Sequence, residues 1–250
     1  MRWVLITGSC SGIGLAVARH YAGAADTGVV VAGLTREDLD TARGHIAAVE
    51  HPTATVRYHQ LDVRQEDSVL GLRKALQSAG VEVDVLINCA GVMPPFEPEP
   101  AEPDFFSVDP QTTARVFDVN ALGILRTCQA FVPGMLEHGS GRIVNVASEA
   151  ASLRRMLTDP WPYALSYRVS KVAVNALTVL LARSTAGTDV LVNSVCPGWV
   201  RTAMGGTSAP LEPEAAIATI VHLADLPAGG ATGRFFSEMR RYGFPQELEW

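Results

Sequence analysis

Trp3-Val4-Leu5-Ile6-Thr7-Gly8-Ser9-Cys10-Ser11-Gly12-Ile13-Gly14 opens the chain with an apolar run that passes straight into a glycine-rich turn. The run, Trp3–Thr7, has the length and β-branched character of one buried strand, and Gly12–Ala25 behind it has the length of a helix. Glycine tolerates positive φ and lets a phosphate approach the backbone, while the free amides and dipole at a helix start favour an anion. The spacing is G-x-x-x-G-x-G, not the commoner G-x-G-x-x-G. A glycine cluster alone often marks only a tight turn. Set between a first strand and a first helix, this one predicts a dinucleotide site lined by Gly8, Ser9, Cys10, Ser11, Gly12, Ile13 and Gly14.

Working outward, the same strand-then-helix unit repeats. Strands are expected at Trp3–Thr7, Gly28–Ala32, Thr55–Gln60, Val83–Asn88, Arg142–Ala147, Val190–Val195 and Gly233–Phe236. Helices are expected over Gly12–Ala25, Glu37–Glu50, Gln65–Ala79, Gln111–His138, Tyr163–Ala186 and Glu212–Leu226. Parallel strands need crossover connections, so this alternation predicts an α/β fold: a Rossmann-type, doubly wound, seven-stranded parallel sheet with helices on both faces. No repeat or linker interrupts it, and residues 1–250 read as a single dinucleotide-binding and catalytic domain. The exception to the pattern is the segment 93–110, which holds Pro94, Pro95, Pro98, Pro100, Pro103 and Pro110. Proline removes amide donors, so this is a loop, placed after a strand where open sheets hold ligands.

Composition narrows the class. Apolar residues make up 48% and charged residues 18% of the 250, which favours a buried core over disorder. A net charge of −6 argues against nucleic acid, whose phosphates need a basic face. The first apolar run is too short for a signal peptide, and Val172–Ala182 is too short to span a bilayer, so no membrane partner and a cytoplasmic location are expected. Cys10, Cys89, Cys128 and Cys196 show no Cys-x-x-Cys pair, which predicts reduced thiols and no metal site.

Further motifs follow in order. They are Leu61-Asp62-Val63, Asn88-Cys89-Ala90-Gly91, Val119-Asn120-Ala121, Ser148, Tyr167-x-x-x-Lys171 and Pro197-Gly198-Trp199-Val200-Arg201-Thr202. With the glycine turn this series resembles the short-chain dehydrogenase/reductase (SDR) family across nearly the whole chain. Its ending, through Gly233-Arg234-Phe235-Phe236, is similar to the carbonyl reductase branch. The resemblance implies cofactor contacts at Asp62, Val63, Asn88, Ala90, Gly91, Tyr167, Lys171, Pro197, Gly198, Val200 and Thr202. Cys89 departs from the family's Asn-Asn-Ala-Gly.

Tyr167 and Lys171 are four residues apart, so on a helix they share a face. A free phenol titrates near ~10, and a nearby ammonium lowers that, so Tyr167 is expected to exchange a proton with a carbonyl or alcohol oxygen. Ser148 would hold that oxygen by hydrogen bonding. The resemblance adds Lys171 on the nicotinamide ribose and Asn120 on a proton-relaying water. Read alone, Tyr-x-x-x-Lys is an ordinary surface pair, Ser148 a helix N-cap and Asn120 a filler of a helix kink.

At the end of the second strand, Ala32-Gly33-Leu34-Thr35-Arg36, an NAD-type carboxylate is absent at Gly33, and Thr35 with Arg36 can receive a 2′-phosphate. NADP(H) is therefore favoured over NAD(H), although Ser11 and Leu34 stand where NADP-preferring members carry a basic residue. The expected substrate is a small carbonyl or alcohol compound. Loops 93–110, 149–166 and 201–212 would bound its site. Arg154 and Arg155 are either solvated or set to meet an anionic or polar substrate, and Trp199 and Met204 offer an apolar wall. The apolar content of Gln111–His138 and Tyr163–Ala186, with the resemblance, implies a homodimer or homotetramer. Two other readings stand beside the reductase: an NAD-dependent alcohol dehydrogenase, and a non-catalytic NAD(P)-binding regulator.

Overall fold

A computed structural model of the chain describes residues 1–49, 54–94, 102, 104–159, 164–238 and 246–250. The strands are β1 (Arg2–Thr7), β2 (Thr27–Gly33), β3 (Thr55–Gln60), β4 (Val85–Asn88), β5 (Ser140–Val146), β6 (Asp189–Val195) and β7 (Arg234–Phe236). They form one seven-stranded sheet in the order β3-β2-β1-β4-β5-β6-β7, every neighbouring pair parallel. The chain runs outward from β1 to β3, then returns to the other side of β1 at β4. That reversal opens a crevice at the carboxyl ends of β1 and β4.

Helices cover both faces: α1 (Gly12–Ala22), α2 (Arg36–Ala47), α3 (Glu66–Ser78), α4 (Pro110–Phe117), α5 (Gly123–His138), α6 (Leu153–Met156), α7 (Leu165–Ser184), α8 (Pro213–Ala216) and α9 (Ala218–Ala224). Successive strand residues face opposite ways, so the unbroken apolar runs are explained by burial on both sides. Val4, Ile6, Val29 and Val31 pack with Val17, Leu39 and Ile220. Leu5, Val30 and Leu86 pack with Leu72, Phe131 and Val174. The edge strand β3 is the least buried and carries Arg57, Tyr58 and His59.

Three expectations need correction. The stretch Gln111–His138 is not one helix: α4 passes through a π-helical turn, Asp118–Leu122, into α5. The wider turn admits one extra residue and carries the buried Asn120; next to it Gly123 packs where a Cβ would lie 2.8 Å from Val63 Cγ2. Glu212–Leu226 divides into α8 and α9, and the fourth strand starts at Val85 rather than Val83. The helix expected over Tyr163–Ala186, which holds the apolar stretch Val172–Ala182, runs Leu165–Ser184. At 20 residues it has the length and apolarity to cross a membrane, but Val174, Thr178 and Ala182 are buried against the sheet. Glu50 and Tyr163, expected helix residues, lie outside the described residues.

Candidate active site

The turn after β1 is built by contacts that leave no room for side chains. Gly8, at φ +64°, approaches the turn after β4 so closely that a Cβ would sit 2.7 Å from Ala90 Cα. A Cβ on Gly14 would meet Gly8 O at 2.3 Å, and one on Gly12 would meet Thr202 Cγ2 at 2.9 Å. Thr7 Oγ1 fastens the two turns by accepting from Cys89 N and Ala90 N, both at 3.1 Å. Ser9 is interior: its hydroxyl donates to Ile6 O and accepts from Ala32 N, each at 2.8 Å. Ser11 is exposed and supplies no side-chain cap to α1, which leaves the amides of the first turn open to an anion. Ile13 is half-buried and packs on the core.

Along the crevice, Cys10 Sγ occupies the space beside Gly33, where a Cβ would lie only 2.2 Å away. Thr35 caps α2: its hydroxyl accepts from Asp38 N at 3.1 Å and donates to Asp38 Oδ2 at 2.7 Å, and its amide donates to the same carboxylate. The Thr35 hydroxyl is thus engaged, and Asp38 places a negative charge at the start of α2. Arg36 is exposed, with no ion-pair partner among the described residues. Asp62 follows β3, held below the usual carboxylate range by Arg64, which binds it with 2.7 and 2.9 Å contacts. Val63 is buried against Gly123.

Asn88, expected at the cofactor, uses its side chain inside the protein. It donates to Asn145 Oδ1 at 2.9 Å and accepts from Thr127 Oγ1 at 2.7 Å; Asn145 continues to Thr178 at 2.9 Å. This network ties β4 and β5 to α5 and α7 beneath the site. Asn120, fully buried on the π turn, accepts from Val92 N (2.8 Å) and donates to Val92 O and Ser170 Oγ (both 2.9 Å). Gly91 lies beside it; a Cβ there would be 3.4 Å from Asn120 Oδ1 and 3.7 Å from Lys171 Nζ. The order Asn120, Gly91, Lys171 is therefore contiguous.

Lys171 donates to Val146 O at 2.6 Å, and its Nζ lies 5.6 Å from the Tyr167 ring centre. Ser148 caps the turn Glu149–Ala151 by accepting from Ala150 N at 3.1 Å, and it adjoins the Tyr167 phenol. The electrostatics differ from the expectation. Burial pushes the phenol up to about 12, against the smaller opposing effect of Ser148. Burial also pushes Lys171 down to about 8. Desolvation outweighs the expected ammonium effect, so the phenol is a protonated donor at neutral pH. Two thiols, the half-buried Cys89 and the buried Cys196, adjoin the pair, each raised to about 11 by desolvation.

On the substrate side, Arg155 pairs with Glu149 and Arg154 with Glu249 (2.7 Å), which accounts for Glu149 and leaves neither arginine unpartnered. Pro197 is buried, Gly198 turns at φ +83°, and Val200 bridges Leu211, folding back the loop that carries Thr202. Trp199 and Met204 are exposed, the Trp199 indole donating to Gly205 O at 2.8 Å. Trp161, Pro95, Pro98, Pro100 and Pro103 lie outside the described residues. Sequence reading missed the Asn145, Thr127 and Ser170 partners, which are ordinary residue types with no motif spacing.

Residues 2–212 match the family model for short chain dehydrogenase. An uncharacterized oxidoreductase, YvrD of Bacillus subtilis, is 35% identical over 78% of this chain and 67% of its own. Carbonyl reductase [NADPH] 1 of Homo sapiens is 30% identical over 94% of this chain and 96% of its own. An actinorhodin polyketide ketoreductase solved with NADPH superposes with a TM-score of 0.79 at 26% identity, covering 94% and 95% of the two chains. The parallel sheet agrees with these matches, and the chain belongs to the short chain dehydrogenase family, as a carbonyl reductase-like, NAD(P)-dependent oxidoreductase acting on C=O and CH–OH groups.

Proposed function

We propose that the chain reduces a ketone or aldehyde to an alcohol with NADP(H), and that Tyr167 supplies the proton. The observation that carries this reading is Tyr167 and Lys171 on one face of α7, with Lys171 Nζ 5.6 Å from the Tyr167 ring centre and Ser148 adjoining the phenol, beside a turn whose three glycines leave a floor without Cβ atoms. That floor, with the open amides of α1, fits a dinucleotide. A reduced nicotinamide held there by the turn after β1 would be the source of hydride. Ser148 holds the carbonyl oxygen, and Tyr167, neutral at working pH, donates its proton to that oxygen as negative charge develops. Lys171 stabilises the phenolate left behind, and Asn120 holds the backbone of Val92 beside Lys171. The four side chains, together with the backbone of the loops after β1, β4 and β6, form the proposed site.

The NADP(H) preference is supported by the missing carboxylate at Gly33, by the unpaired Arg36, and by the NADPH named with two of the matched proteins. An NAD-dependent alcohol dehydrogenase is the second reading, because the Asp38 carboxylate at the start of α2 opposes a 2′-phosphate. We further propose that residues 1–250 act as one cytoplasmic domain on a small-molecule substrate. They would pair into a homodimer or homotetramer through α5 and α7, where Leu136, Val169 and Leu180 are exposed.

NADPH consumption with benzaldehyde, diacetyl and a quinone tests the reaction. Tyr167→Phe should abolish turnover and retain cofactor binding; an active variant refutes the proton role. An Arg36→Ala variant with an unchanged NADPH Michaelis constant would remove Arg36 from the site.

A further inference from the structure

The first turn of the helix carrying Tyr167 lacks a cap of its own. The residue before it, Ala164, is buried and left-handed at φ 60°, and it offers no side-chain acceptor. Free amides at a helix start need partners, and a buried start without them is unstable. Glu102 supplies the partner from a distant part of the chain. Its carboxylate is only 4% exposed and clasps Ser166 twice, accepting from Ser166 N at 3.0 Å and from Ser166 Oγ. Ser166 Oγ also lies 2.8 Å from Thr113 Oγ1 on α4.

One turn further along, Asn120 Nδ2 donates to Ser170 Oγ, which donates to the Tyr167 carbonyl at 2.7 Å. On the other side of Tyr167, Arg168 pairs with Asp159 at 2.9 Å. Tyr167 is thus bracketed. Its neighbour Ser166 is fixed by Glu102 and Thr113, and its own carbonyl by Ser170 and Asn120. Without Glu102 the first bracket loses its charged member and the helix start keeps a strained residue with an open amide.

We propose that Glu102 is a positioning residue: its carboxylate closes the first turn of α7 from outside and so fixes the Tyr167 phenol over Ser148 and beside Lys171. The inference rests on the proposed role of Tyr167 as proton donor. A shift of the phenol would slow proton delivery and leave the glycine cradle untouched.

The test compares Glu102→Ala, Glu102→Gln and Tyr167→Phe in the full chain, with NADPH and benzaldehyde or diacetyl. Rates are divided by the NADPH-binding sites counted by fluorescence titration. Glu102→Ala should lower kcat by about 10- to 100-fold, as misplacement near 1 Å does, with NADPH affinity held within about twofold. Its solvent deuterium isotope effect on kcat should rise, which a mere loss of folded protein would not produce. Glu102→Gln should restore kcat to within about threefold, since its amide accepts from Ser166 N and donates to Ser166 Oγ. If Glu102→Ala fails to fold, Glu102→Gln and Thr113→Val carry the test, the latter with kcat lowered and the isotope effect raised. Wild-type kcat and isotope effect per binding site in Glu102→Ala overturn the inference, as does Glu102→Gln no better than Glu102→Ala. If Tyr167→Phe is inactive while Glu102→Ala is unaffected, only the positioning claim fails; an active Tyr167→Phe defeats both.

Discussion

Replacing Gly33 by Asp is the obvious way to give this protein an NAD-type carboxylate, and the structure predicts that it fails alone. A Cβ at position 33 would lie 2.2 Å from Cys10 Sγ, with Cys10 Cβ and Leu39 Cδ2 both at 3.4 Å. Ordinary carbon contacts are about 3.5–4.0 Å, so the thiol is the one severe obstacle. Gly33 is not among the residues at positive φ, so the conflict is contact and not backbone strain. The backbone before Cys10 has little room to retreat, because Ser9 N is bonded to Ala32 O at 3.1 Å and Ser9 Oγ to Ala32 N. Overpacking of this kind costs about 1–3 kcal/mol. Gly33→Asp should lose that much stability in urea unfolding and gain little kcat/KM with NADH. Cys10→Ala removes Sγ and leaves contacts near the ordinary limit. The double variant should recover at least about 1 kcal/mol as coupling energy, well above the ~0.5 kcal/mol expected of independent sites. It should also raise NADH kcat/KM. A Gly33→Asp protein as stable as the parent, or a cycle without coupling, would refute the argument that the thiol decides what position 33 can hold.

Removing the negative charge at the start of α2 with Asp38→Asn should lower the NADPH Michaelis constant several-fold more than the NADH one. The capping bond to Thr35 is largely kept, and stability should fall by about 1 kcal/mol or less. Asn120→Ala leaves Val92 N, Val92 O and Ser170 Oγ without their shared partner. It should cost about 2–4 kcal/mol, read by urea midpoint, and depress kcat. Stability should also fall in alkali. Burial holds Cys10, Cys89 and Cys196 at about 11, and Cys128 and Tyr167 at about 12, and raises Tyr21 as well. The unfolded chain releases these protons first, so stability that is complete below pH ~8.5 is lost as pH rises toward those values. Lys171, lowered to about 8, acts oppositely and adds stability from pH ~8 to ~10, but it is one group against several. Melting temperatures across this range should decline, and Cys128→Ala should flatten the decline while lowering the neutral value. A flat wild-type profile would contradict it.

Much of the fold was legible because burial on both faces of a parallel sheet leaves an unmistakable record. Val4-Leu5-Ile6 and Val29-Val30-Val31 are apolar without alternation because each residue meets a helix on one side or the other. The break in Gln111–His138 was not legible. Pro133, inside α5 and exposed, gives no warning of the π turn at Asp118–Leu122, and Asp118-Val119-Asn120 has no breaker in it. What makes the turn is tertiary: Asn120 reaches Val92, and Gly123 lies against Val63. No local pattern records either contact.

The site was legible in its positions more than in its physics. The glycines of the first turn were identified by spacing. The structure gives each a different reason to lack a side chain: Ala90 for Gly8, Thr202 for Gly12 and the Gly8 carbonyl for Gly14. Tyr167 and Lys171 were placed on one face by their offset, but the offset suggested an activated phenol, whereas burial makes a protonated one. A protonated phenol suits proton donation to a carbonyl and leaves activation to whatever fills the crevice. Asn88 and Thr35 carry the opposite lesson. Both stand where a ligand contact was expected, and both use their side chains within the protein, Asn88 to join strands and Thr35 to start a helix. Around Tyr167 and Lys171, side chains that hold the frame surround the side chains proposed to react. At the end of β2, Cys10 excludes a side chain from position 33, Asp38 brings a negative charge, and Arg36 has no ion-pair partner among the described residues. On the proposed reading the cofactor preference rests on the balance of these three small effects, so single substitutions at Arg36 and Asp38, and Gly33 changed together with Cys10, should shift it more readily than they shift the chemistry proposed at Tyr167.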